Sequence, residues 1–156
     1  MTRKNRLYNI LFPIWLFYLL PTGVWLIILA ANFLIDSVVL YFATKHIHIG
    51  DFFSIWRRSI LRIWGIGFAG DFLGALLILA VELIRNEFFP EWNTFYFPRA
   101  TLIALPGVAI SALCIFFLDR RYAFVKTDLD ELMVTKLSRI LAVFTAPYAM
   151  LIPLYG

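Results

Sequence analysis

From Leu7 to Ala43 the chain runs 37 residues without a Lys, Arg, His or Glu, and Asp36 is its one charge. No soluble domain carries such a run. At ~1.5 Å per residue it is also too long for one simple crossing of a ~30 Å hydrocarbon core. Inside lipid a backbone must satisfy its own polar groups, so the run must fold as helix. The same run raises a question of function, because a carboxylate at lipid depth needs a reason. Composition agrees with a membrane chain: 62% of residues are hydrophobic, against about 45–50% in ordinary globular domains. The length of 156 residues suits a single integral membrane domain over 1–156.

Four further apolar blocks, 22–43, 60–84, 100–118 and 139–155, have the length of a spanning helix. The block before them, 7–20, would cover only ~21 Å as a helix. Pro21-Thr22-Gly23 follows it, a strong interruption. Residues 7–43 therefore form either one kinked helix or a hairpin turning at Pro21. The basic start MTRKNR imitates a secretory signal, but the apolar run outlasts the ~7–15 residues of a cleavable core, so it reads as a retained first segment.

Charge separates the two alternatives. Arg3, Lys4, Arg6, Lys45, Arg57, Arg58, Arg62, Arg120, Arg121, Lys126, Lys136 and Arg139 fall on one side if 7–43 folds back. Arg85 and Arg99 fall on the other, a division of 12 against 2. A single crossing gives 9 against 5. Positively charged loops stay cytoplasmic, so the fold-back is favoured. The expected fold is an all-α polytopic membrane bundle of about 4–5 segments, a broken N-terminal hairpin or re-entrant piece followed by further spans. The expected location is a bacterial-type plasma membrane, with N-terminus inside and C-terminus outside. Asp51 reads as an N-cap, and Thr127-x-x-Asp130 as a capping box before an amphipathic helix leading into the last span. The aromatic-rich connection 88–97 suits the headgroup region.

Ionisable groups at lipid depth cost ~2.5–3.5 kcal/mol on insertion scales. Asp36 lies nine residues from Lys45, and Asp71 nine residues beyond Arg62 on the next helix. Each is thus ~13 Å from the inner boundary. On antiparallel neighbours the two carboxylates arrive at one depth. Asn32 is one turn from Asp36, Thr145 lies ~9 Å from the boundary in the last block, and Ser111 and Cys114 lie at comparable depth in the fourth. Pro106 and Pro147 would free the carbonyls of Leu102 and Val143. Oxygen ligands of this kind suit Na⁺, Mg²⁺ or Ca²⁺. Two carboxylates held together at low dielectric also suit a proton relay or a small cationic solute. The competing structural reading makes the aspartates hydrogen-bonding glue between helices.

Gly67, Gly70 and Gly74 make one smooth helix face, fit for close packing within the fold or for a seam between copies. His46-x-His48 has no further His or Cys nearby to complete a metal site. The lone Cys114 excludes an internal disulfide, and HExxH, GxSxG and Walker signatures are absent, so neither an enzyme nor a resident cofactor is expected. Basic residues that flank spans report topology rather than nucleic-acid binding. The leading expectation is movement of a cation, proton or small cationic solute through Asp36 and Asp71, with Asn32 and Thr145 in support. Self-association through the glycine face would complete a path. The alternative is a non-catalytic membrane subunit that scaffolds or regulates a larger complex. The expected partners are the bilayer, a monovalent or divalent cation or proton, and another copy or another membrane protein.

Overall fold

A computed structural model describes residues 23–88 and 98–152. All regular structure among them is helical: α1 Gly23–His46, α2 Phe52–Phe88, α3 Arg99–Leu118 and α4 Glu131–Phe144. A π-helical turn, Asp119–Ala123, extends α3, and a 3-10 turn, Tyr148–Leu151, follows α4. Three segments are long and apolar enough to cross a membrane: Leu26–His46, Phe52–Phe88 and Arg99–Ala123. The chain is therefore read as an integral membrane protein built from a helical bundle. The proposed segment 7–20 and most of the aromatic connection lie outside the described residues.

The first basic loop is shorter than its polar sequence suggests. Asp51 caps α2 by accepting the Ser54 N–H at 3.2 Å, and the helix then runs 37 residues without a break. That is ~55 Å of helix, more than a hydrocarbon core, so its first turns with Arg57 and Arg58 stand beyond it. The link between α1 and α2 is residues 47–51, with His48 taking the turn at φ 61°. Arg58 pairs with Asp128 at 3.0 Å, and Arg120 with Glu131 at 2.6 Å. Both basic loops thus meet at one end of the bundle. Just inside that end Leu40, Ala43, Ile55, Ile63, Ala123, Phe124, Leu137 and Leu141 form the core.

Tryptophans join α1 to α2. The Trp56 indole N–H donates to Ser37 Oγ at 3.0 Å and that of Trp64 to the Leu29 carbonyl at 3.2 Å. Phe33 packs edge-on against both rings. Glycines join α2 to α3. A Cβ on Gly74 would lie 2.7 Å from the Gly107 carbonyl oxygen, and one on Gly70 would lie 2.8 Å from Ile115 Cγ1. Two helices approach this closely where side chains are missing. Gly70 and Gly74 are therefore occupied within the fold, and the expected seam between copies is not free on this face.

The last apolar block departs from expectation. Residues 139–155 are not one spanning helix, because α4 starts at Glu131 and stops at Phe144, and Pro147 lies in the break after it. Fourteen residues of helix cover ~21 Å. Proline removes the N–H that would have continued the ladder. The Val143 carbonyl left over accepts the Tyr148 hydroxyl at 2.6 Å. Thr101 of α3 donates to the Leu151 carbonyl at 2.9 Å, tying the 3-10 turn to the other end of the bundle. Pro106, by contrast, is carried inside α3.

The capping box is also replaced. Asp130 is itself the N-cap of α4, accepting the Met133 N–H at 2.6 Å, while Thr127 donates to the Phe124 carbonyl. Asp130→Ala is expected to destabilise the bundle by about 1 kcal/mol. Equilibrium unfolding in mixed micelles measures this. Asp130→Asn, which keeps an accepting oxygen, should recover most of the loss.

Candidate carboxylate site within the bundle

Asp36 lies on α1 among apolar neighbours and is 5% exposed. Its Oδ2 is 3.7 Å from where a Gly67 Cβ would be, so the glycine makes room for the carboxylate against α2. Asp71 is one turn further along α2 on the same face, half-buried, and Ser111 of α3 donates its hydroxyl to Asp71 Oδ1 at 3.1 Å. Asp36 thus lies against α2 one helix turn from Asp71. This placement arises because α1 and α2 are antiparallel about a short turn.

The site holds one more acid than expected. Asp119 is wholly buried, and among the described residues neither of its carboxylate oxygens has a hydrogen-bond partner. Asp71 is level with Ser111, Asp36 lies at Gly67 one turn nearer the basic end, and Asp119 is two turns beyond Ser111 in the same direction, so the set steps toward that end of the bundle. Asp119 opens the π-helical turn, a local distortion frequent at functional positions. The residue was legible in principle. Ser111, Ile115 and Asp119 recur at i, i+4 and i+8, and all three are buried. Placement directly before Arg120 and Arg121 disguised it as loop sequence.

The other expected ligands divide. Asn32 is half-buried one turn from Asp36 and makes no side-chain hydrogen bond among the described residues. Thr145 does not join the site: its hydroxyl donates to the Leu141 carbonyl at 2.8 Å at the end of α4. The threonine serves its own helix terminus, its hydroxyl and its backbone N–H both donating to the Leu141 carbonyl. Ser37 turns toward Trp56 and likewise stays out.

Among the described residues no ion pair joins a basic side chain to Asp36, Asp71 or Asp119. Arg58 is held by Asp128, Arg120 by Glu131 and Arg85 by Glu82, while Arg62 donates to the Tyr122 carbonyl at 3.4 Å. Among the described residues no three His, Cys, Asp or Glu side chains converge closely enough to share a metal ion. The arrangement is a file of separated carboxylates rather than a multidentate cage. Chemically it suits a positive charge passed from one acid to the next better than tight chelation of a divalent ion.

The chain matches no family model, no curated protein and no solved structure.

Proposed function

We propose that this is a small, non-enzymatic integral membrane protein that moves protons or a small monovalent cation across the bilayer, with Asp36 and Asp71 as its charge-binding groups. Ser111 orients Asp71, and Asn32 offers an amide oxygen beside Asp36. The basic end of the bundle faces the cytoplasm of a plasma membrane, as the excess of Lys and Arg there requires. The 3-10 turn after α4, tied by its Leu151 carbonyl to Thr101 of α3, returns toward the outer face.

One observation carries this reading. No donor reaches the Asp36 carboxylate among the described residues, although the residue is nearly fully buried. An aspartate kept as packing glue hydrogen-bonds to the adjoining helix. A buried carboxylate without a protein donor is costly unless a proton or cation accompanies it. The spacing of the acids favours the proton and monovalent cations over a caged divalent ion.

Reconstitution into vesicles holding a pH-sensitive or ion-sensitive dye tests the proposal. The expected result is dissipation of an imposed proton, sodium or potassium gradient faster than in protein-free vesicles. Equal rates for all three ions in both preparations would refute it.

A further inference from the structure

We propose that Asp119 is a proton-holding station at the cytoplasmic end of the carboxylate file, the group through which Asp36 exchanges protons with the basic face. This deepens the reading above and rests on it for direction. The binding claim itself stands on the burial of Asp119 alone.

The geometry is specific. Asp119 is 0% exposed, and among the described residues neither oxygen has a donor. Ser138 of α4, also wholly buried, has a hydroxyl without a partner among the described residues. Since α4 packs on α1, α3 and the π-helical turn, both unpartnered groups belong to the buried side of one helix junction. Buried polar atoms in folded proteins are almost always satisfied, so an orphan calls for a ligand. For a carboxylate the ligand must be positively charged, and the smallest candidate is the proton.

The charged groups around it leave that role open. From α1 comes Asp36, another acid. From α2 comes Arg62, whose guanidinium is on the Tyr122 carbonyl. Within its own turn Arg120 is held by Glu131 of α4, and Arg121 lies over the Tyr122 ring at 5.7 Å. None of these cations forms an ion pair with Asp119. Exchange with Asp36 breaks an O–H bond on one carboxyl group and forms one on the other. The bonding electron pair stays on the oxygen that releases the proton, so no oxidant or reductant is involved.

Infrared spectroscopy of the full chain in lipid nanodiscs is the test. The expected result is a carbonyl-stretch band of a buried carboxylic acid that disappears in Asp119→Asn and shifts in Asp36→Asn. Absence of any such band on both sides of neutral pH would overturn the proposal. A second measurement needs no variant. Dicyclohexylcarbodiimide attacks protonated carboxyl groups in apolar surroundings, and mass spectrometry of the wild-type protein should find the adduct on Asp119. Loss of that adduct when sodium or potassium is added at fixed pH would overturn the proton assignment and make Asp119 a metal-cation site. Neither measurement reads transport. Vesicles without flux but with a labelled Asp119 would refute the transport reading and leave this one standing.

Discussion

Asp36→Asn is expected to cut ion flux through reconstituted protein by roughly 100-fold while leaving the fold intact. Asparagine has the volume of aspartate, so the contact with the space over Gly67 survives. What disappears is the ability to hold a positive charge. A hydrogen bond to a charged group is worth about 1.5–3 kcal/mol, which corresponds to roughly 10- to 150-fold in an equilibrium constant. Asp36 lies between the other two acids in depth, so its loss interrupts the file rather than trimming one end. Asp71→Asn should act in the same direction and fold equally well, since the Ser111 hydroxyl can donate to an amide oxygen at the same position. Thr145→Val, at a residue engaged with Leu141, should leave flux near the wild-type rate. Flux measured in vesicles, with circular dichroism and gel filtration to verify folding, decides the matter. A well-folded Asp36→Asn/Asp71→Asn double variant with unchanged flux would remove the site. A scaffolding or regulatory subunit would then become the better reading, and a second polypeptide should co-purify at fixed stoichiometry.

Gly74→Val is expected to separate α2 from α3. Even a single methyl at Gly74 would be 2.7 Å from the Gly107 carbonyl oxygen and 3.1 Å from Ser111 Cβ. Backbone cannot step aside as the end of a flexible side chain can, so the helices must part. Overpacking of this kind costs about 1–3 kcal/mol, and valine adds two further carbons to the clash. Parting also withdraws Ser111 from Asp71, so flux should fall together with stability. Gly65 is the matched control. Nothing lies within 4 Å of its would-be Cβ, and glycine in a helix interior is about 0.5–1 kcal/mol less favourable than alanine. Gly65→Ala should therefore hold or raise stability. Unfolding in mixed micelles compares the two directly. Equal stability of Gly74→Val and wild type would mean that α2 and α3 are not in this close register.

The apolar runs by themselves determined the class of molecule, because hydrocarbon admits only backbone that bonds to itself. They also located Asp36 and Asp71, since a carboxylate in such a run is conspicuous. Their placement within a helix turn of one another in depth was legible too, from equal distances to Lys45 and Arg62 on antiparallel neighbours. Capping by Asp51 was readable for the same local reason. Asp130 was read as the far end of a capping box, whereas its own oxygen caps α4.

Tertiary structure decided what the runs could not encode. In a soluble helix the polar side marks water and the apolar side marks the core. In a membrane both sides are apolar, so the sequence does not say which face meets lipid and which meets another helix. Hence α3, not a second copy, covers Gly70 and Gly74. Hence also Asp119 is buried among helices although two arginines follow it, and Thr145 is spent on its own helix end. Depth along the membrane normal is a one-dimensional property and survives in the order of residues. Facing is a rotational property, fixed only when neighbouring helices pack.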